Sequence, residues 1–331
     1  MEEGWEKERL SRVELSLDEL QRLVEPAFPG AAVSEHAVLR TGLANTNIRF
    51  RLQGREPAYV LRLHTRDPKA AARERELMSY LAQNPRASIP VAPLVYSDPA
   101  PQRGTRPYSI WGFVEGTLLQ DLFKTLSDPE LVDIAATCGR VAAAFATHRF
   151  PKCGELGAKL QVVEEYGAPS QFVPDIVHEA LFGGIAGQRL GVRLRDALWT
   201  AVERSPPLLG EVDGRYTLVH ADYKRSNLLL QRAGTTWNVS AVLDWEFACA
   251  GPPIIDIGLF LRAGEALPAG FRDAFAAGYR DAGGELPLEW LRLSRLVDLV
   301  SQVTFLNDPR DRPRVVAETT GVVEETVRML A

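Results

Sequence analysis

Three oxygen-bearing side chains, Asp222, Asn227 and Asp244, stand in order within the segments Leu218-Val-His-Ala-Asp-Tyr-Lys-Arg-Ser-Asn-Leu-Leu-Leu230 and Val239-Ser-Ala-Val-Leu-Asp-Trp-Glu-Phe247. Mg²⁺ takes near-octahedral oxygen ligation from one or two carboxylates together with nucleotide phosphates, and an Asn oxygen adds a ligand without adding charge. Phosphoryl transfer also needs a separate carboxylate that orients the attacking hydroxyl and accepts its proton. Asn227 and Asp244 suit the metal, and Asp222 suits the proton.

Such a centre needs elements that bring it together. The apolar run Tyr216 to Val219 reads as a strand delivering His220 and Asp222 into a loop, and Asn227 opens a second run, Leu228 to Leu230. Gln231 to Thr235 has the composition of a hairpin turn, and Trp237 to Leu243 alternates as the returning strand that ends at Asp244. The open end of that hairpin places Asn227 beside Asp244, with Asp222 just before them. His220 reads as a partly buried imidazole that holds the loop by hydrogen bonds. Asp256, inside the apolar run Ile254-Ile-Asp-Ile-Gly258, needs backbone or His donors to be tolerated and reads as a loop organiser. Glu246 is either an auxiliary metal ligand or a solvated strand-end carboxylate.

His220-Ala-Asp-Tyr-Lys-Arg-Ser-Asn227 resembles the H-G-D-x-x-x-x-N loop of the aminoglycoside phosphotransferase and choline kinase family. Val242-Leu-Asp-Trp-Glu246 resembles that family's metal motif, and Gly251-Pro-Pro-Ile-Ile-Asp-Ile-Gly258 the segment that follows it. Ala221 stands where Gly is usual, a small-for-small exchange expected to cost little. The likeness is dense over about residues 216–262 and implies an α+β, two-lobed protein-kinase-like fold: a small antiparallel β-sheet lobe over 1–115, and a larger, mainly helical lobe over 116–331 with a helical insertion at about 155–205. It implies ATP (or GTP) and Mg²⁺ as cofactors and the hydroxyl of a small molecule as acceptor. Lys224, two residues after Asp222, is expected to reach the γ-phosphate. The fold also asks for a cation on the third strand and a helix carboxylate to hold it; Arg62 and Glu74 fill these places, with Glu76 as the fallback. Thr41-Gly-Leu-Ala-Asn-Thr-Asn47 lies where a phosphate loop belongs, so that Asn45, Thr46 and Asn47 would donate to phosphate, although a plain hairpin turn has the same composition. Phe113, Val114 and Glu115 resemble the hinge, whose backbone meets adenine.

The remaining elements agree with this frame. Ser16-Leu-Asp-Glu19 is a capping-box start for a helix through about Val24. Strand-like runs follow at 37–40, 47–52 and 59–64, then a helical pattern over 70–83, a Pro-rich connector from Pro85 to Pro101 and a strand over 108–114. The chain of 331 residues is 46% apolar, and 38 basic against 43 acidic residues leave it mildly acidic, without a footprint for nucleic acid or an anionic membrane. Cys138, Cys153 and Cys249 have no CxxC spacing and read as reduced and packed. With no apolar leader and no long apolar window, a soluble, cytoplasmic protein is expected, a monomer or weak dimer.

Several functions fit these residues. An antibiotic kinase of the aminoglycoside type comes first by resemblance; a metabolic kinase of choline, an amino acid alcohol or a sugar is the alternative; and a silent nucleotide-binding scaffold is disfavoured because Asp222, Asn227 and Asp244 are all present. A protein kinase is disfavoured because Gly251-Pro-Pro follows Asp244 too soon for an activation segment. The insertion carries Glu164, Glu165, Asp175 and Glu179, but Arg189, Arg193 and Arg195 lie close behind them. Tyr166, Phe172, Phe182 and Trp199 serve either a pocket or a helix core.

Overall fold

The computed structural model describes residues 13–39, 45–84, 88–101 and 106–331. Helix α1 (Leu17–Val24) starts at the capping box, with Ser16 and Glu19 bonding reciprocally. Next come β1 (Val33–Val38), β2 (Thr46–Leu52), β3 (Ala58–Leu63), helix α2 (Ala70–Gln83), β4 (Leu94–Asp98) and β5 (Tyr108–Gly112). The five strands form one antiparallel sheet in the order β1-β2-β3-β5-β4. Strict alternation in β2 buries Thr46, Ile48, Phe50 and Leu52 on one face. There they meet Leu20, Val24 and Phe28 around Leu61, Leu63 and Ile110. The period of two sends Asn47 and Arg62, paired directly across β2 and β3, to the opposite face.

Two expectations shift here. The first strand begins earlier than the 37–40 run, and Arg40 lies outside the described residues. The Pro-rich connector contains a strand: among the described residues β4 sits at the sheet edge and pairs only with β5. An edge strand needs a single ladder, so it tolerates the preceding Pro93 and the polar Ser97 and Asp98 that hid it.

The rest of the chain runs β6 (Thr117–Leu118), α3 (Leu119–Leu122), α4 (Asp128–Phe145), β7 (Gly154–Leu156), β8 (Val162–Glu165), α5 (Pro169–His178), a π-helical turn (Glu179–Gly183), α6 (Ala186–Glu203) and α7 (Pro206–Leu209). It continues with β9 (Thr217–Val219), β10 (Leu228–Ala233), β11 (Thr236–Val242), β12 (Cys249–Gly251), α8 (Ile254–Phe260), α9 (Phe271–Asp281), α10 (Trp290–Leu306) and α11 (Pro313–Leu330). Its core is separate from that under α1 and is built largely by α4, α8, α9 and α10, although Leu77 and Met78 of α2 join it. The 155–205 insertion is not all helical: β7 and β8 form a hairpin that extends the β12-β9 pair. Gly154 permits this, because a Cβ there would lie 1.9 Å from the Glu164 carbonyl. Among the described residues no helix is long and apolar enough to cross a membrane.

Candidate active site

Strand β9 ends at Val219 and hands the chain to a loop whose first turn is held by one buried carboxylate. Asp256, at the start of α8, accepts from the amides of His220 (2.8 Å) and Ala221 (2.9 Å). Burial raises the Asp256 carboxyl to about 7, against the pull of those two donors. The fully buried His220 accepts from the Asp222 amide at Nδ1 (3.2 Å), so its Nε2 is the donor to the Leu243 carbonyl at 2.9 Å. Burial keeps the ring neutral, lowering its pKa although Asp222 pulls the other way. His220 therefore ties the Asp222 loop to the end of β11, and Tyr223 anchors it from below by donating to the Cys138 carbonyl of α4 at 2.9 Å. Ala221 bends this loop at φ 59, in the left-handed region, which is the physical content of the Gly usual at that place.

Asn227 closes the loop by donating from Nδ2 to the backbone oxygen (2.9 Å) and to Oδ2 (2.8 Å) of Asp222. Its own carbonyl accepts from the Leu243 amide at 2.8 Å, which sets Asp244 next to it. Lys224 Nζ lies 2.9 Å from the other oxygen of Asp222. Asp244 adopts φ 68, ψ 63, a left-handed conformation that Asp tolerates better than most residues. Its side chain meets Arg62, whose Nη1 is 3.2 Å from Asp244 Oδ1 and 2.9 Å from Glu74 Oε1, while Nε donates to Asn47 Oδ1 at 3.2 Å. Glu74, not Glu76, meets Arg62; Glu76 accepts from the Lys159 amide. Burial pushes the Glu74 carboxyl up to about 7, with Arg62 opposing.

Glu246 is buried and joins the centre from the far side, accepting from Asn45 Nδ2 at 3.3 Å and lying 3.7 Å from Arg66. Asn45 Oδ1 in turn accepts from the Thr65 amide at 3.2 Å. The phosphate contact expected of Thr46 fails on register: its hydroxyl is buried on the α1 face and accepts from the Val13 amide at 3.3 Å. Thr41 to Ala44 lie outside the described residues. At the expected hinge, Phe113 donates its amide to the Ala58 carbonyl and Glu115 accepts from the Ser240 hydroxyl. Among the described residues, the amide and carbonyl of Val114 have no protein partner.

Sequence reasoning missed His64 and Arg73. His64 is buried 3.1 Å from Ser109 Oγ and 3.9 Å from Glu74 Oε2, with burial and Arg62 lowering it to about 4. Arg73 adjoins Glu74 and pairs with the nearby Asp67, but two of its three partners, Glu155 and the Glu246 carbonyl, lie far along the chain, so no local pattern marks its reach.

Nothing among the described residues donates to the Asn227 amide oxygen, because Nδ2 takes up the Asp222 side. One amide oxygen and the Asp244 carboxylate form a protein donor set of the sparse kind that Mg²⁺ shares with nucleotide phosphates, so these residues fit the ion.

A sheet lobe over a helical lobe, with a carboxylate loop and a second acidic strand end facing a strand cation and its helix carboxylate, defines a phosphotransferase of protein-kinase-like fold. The chain belongs to the phosphotransferase enzyme family (APH), whose model matches residues 36–291. Solved structures share the fold at low identity. A putative aminoglycoside phosphotransferase from Ralstonia eutropha is 18% identical, with TM-score 0.65, covering 96% of this chain and 99% of its own. A thermostable mutant of aminoglycoside phosphotransferase APH(4)-Ia in ternary complex with ADP and hygromycin B is 19% identical, with TM-score 0.66 and coverage of 93% and 98%. The GDP and kanamycin complex of APH(2")-IIia is 16% identical, with TM-score 0.68 and coverage of 94% and 98%. No curated protein matches the sequence.

Proposed function

We propose that this enzyme transfers the γ-phosphoryl group of ATP, with GTP as the alternative donor, to a hydroxyl of an aminoglycoside-type antibiotic. The observation that carries the chemistry is the convergence of Asp222, Asn227 and Asp244 at one loop with the Arg62–Glu74 pair directed at Asp244. Asn227 and Asp244 would hold Mg²⁺, which supplies charge neutralisation of the transferring phosphates when bound. Arg62 binds phosphate oxygens as a permanent cation, and Val114 offers its backbone to the adenine edge. Asp222 orients the acceptor hydroxyl and takes its proton, while Asn227 fixes its rotamer and Lys224 neutralises its other oxygen until phosphate draws the ammonium away.

The acceptor reading rests on family resemblance and on one structural point. Arg189 spends its guanidinium on the carbonyls of Leu306, Asp308 and Arg310, and Arg195 pairs with Asp196. Two of the three arginines that follow the acidic residues of the insertion are thus turned elsewhere, although Arg193 is exposed and Lys152 still pairs with Glu165. Glu164, Asp175 and Glu179 are exposed, as are Tyr166 and Phe182, whereas Phe172 and Trp199 pack against the helical core. Carboxylates near the acceptor suit a polycation.

The test is nucleotide consumption across aminoglycosides, macrolides, choline, homoserine and simple sugars, with EDTA and Asp222→Asn as controls. Turnover of an aminoglycoside is expected, lost with EDTA and reduced by about 10²–10⁴-fold in Asp222→Asn while nucleotide still binds. Turnover confined to choline or an amino acid alcohol would replace the antibiotic reading with the metabolic one. Near-normal turnover by Asp222→Asn would remove Asp222 from the base role.

A further inference from the structure

Arg73 lies on α2 immediately before Glu74 and has three partners, two of them outside the sheet lobe. Its Nη1 meets Glu155 Oε1 on β7 at 2.9 Å, and its Nη2 meets both Asp67 Oδ2 at 2.6 Å and the backbone carbonyl of Glu246 at 3.0 Å. Asp67 is itself tied to the start of α2, accepting from the Lys69 amide at 2.9 Å. One guanidinium therefore joins the start of α2, the β7–β8 hairpin and the turn that follows Asp244. A second tether runs parallel to it, from the Lys159 amide to Glu76 at 3.3 Å.

We propose that Arg73 is a positioning residue that docks α2 on the metal-binding turn, and so sets the Arg62–Glu74 pair at the distance from Asp244 that nucleotide phosphates require. The inference rests on the phosphotransferase reading above. The planar fork explains the choice of residue: two nitrogens serve two carboxylates and a carbonyl at once, which an ammonium on a flexible stem does not reproduce. Glu74 is buried with one oxygen on Arg62 and no hydrogen-bond partner for the other, so on its carboxylate side the pair depends on the position of the helix. If α2 swings outward, Arg62 keeps Asn47 and Asp244 but loses the alignment that two carboxylates impose. The hairpin that interrupts the helical insertion thereby acquires a task, since Glu155 is one of the points at which the larger lobe grips α2.

The alternative role, a tether that stabilises the fold without touching nucleotide binding, predicts different measurements. The full-length chain is titrated with Mg·ADP by calorimetry as wild type, Arg73→Met, Arg73→Lys and Glu155→Gln, with Arg75→Met as a control on an exposed arginine of the same helix. Circular dichroism melts report the folded fraction, and hydrogen exchange of α2 amides is followed without nucleotide. Arg73→Met is expected to weaken Mg·ADP binding about tenfold, the scale of a lost charge-assisted hydrogen-bond set, and to speed exchange along α2. Arg73→Lys should fall between it and wild type, Glu155→Gln should weaken binding less, and Arg75→Met should match wild type. In steady state the KM for ATP rises and that for the acceptor does not. A folded Arg73→Met that binds Mg·ADP like wild type overturns the inference, and if that variant does not fold, unchanged binding by both Arg73→Lys and Glu155→Gln does so. A wild-type chain that binds no Mg·ADP overturns the functional reading and this inference together.

Discussion

At Ala221 the Asp222 loop holds a Cβ-bearing residue at φ 59. The left-handed region costs such a residue roughly 1–2 kcal/mol. Glycine would escape that cost but gives up roughly 0.5–1 kcal/mol through its freer unfolded chain. The first effect wins, so Ala221→Gly is expected to stabilise the protein by up to about 1 kcal/mol in a urea titration. The two amides that bond Asp256 do not depend on this side chain, so turnover should persist; a lower urea midpoint would show that the strain is relieved in some other way. The exchange expected to cost little thus has a definite sign, set by backbone conformation and not by volume.

The elements that carry the site are positioned by close backbone approaches. Helices α4 and α9 cross where Gly139 and Gly278 face each other's backbones: a Cβ on Gly139 would lie 2.1 Å from the Phe275 carbonyl oxygen, and one on Gly278 would lie 2.0 Å from that of Ala136. This crossing underlies the Asp222 loop, since the carbonyl that receives the Tyr223 hydroxyl belongs to Cys138, next to Gly139. Gly278→Ala must push the helices apart and is expected to cost about 3 kcal/mol, at the upper end for overpacking, and to lower turnover through Tyr223. Gly321→Ala in α11, where an added Cβ meets nothing within 4 Å, should instead stabilise the protein by about 1 kcal/mol from helix propensity and so raise the unfolding midpoint. Equal effects at the two positions would mean that the close crossing does not bear on stability.

At the scale of the whole molecule, buried titratable groups make folding depend on pH. Glu74 and Asp256 sit at about 7, above their unfolded values of 4.5 and 3.8, so the stability they lend is fully present at low pH and is lost as pH rises through 7. His64, lowered from 6.5 to about 4, acts in the opposite sense: its contribution is present above 6.5 and lost as pH falls towards 4. The two trends oppose each other below pH 6.5, and only the carboxylates act above it. The urea midpoint should therefore fall between pH 6.5 and 8, and Asp256→Asn, though less stable throughout, should show a shallower fall. An equally steep fall in Asp256→Asn would assign the dependence to Glu74 or to other groups.

Much of the centre was legible without coordinates because its pieces are local. His220 to Asn227 and the returning strand to Asp244 lie on one hairpin and its preceding loop, where short-range turn chemistry and alternation dictate which side chains share an end. Period-two alternation likewise fixes that Arg62 and Asn47 share a face while Thr46 does not, although the glycine-bearing loop drew attention to Thr46 first. What depends on contacts between distant segments could not be read. The choice of Glu74 over Glu76, the placing of the Asp256 carboxylate under the His220 and Ala221 amides, the edge strand β4, the hairpin inside the insertion and the three-way reach of Arg73 all rest on pairings across loops and lobes. Sequence by itself determined the chemistry and the family of this protein, because motif spacing and periodicity act over a few residues. Tertiary structure alone decided how that chemistry is held, because burial, close backbone approach and ion pairing between lobes exist only once the chain has folded.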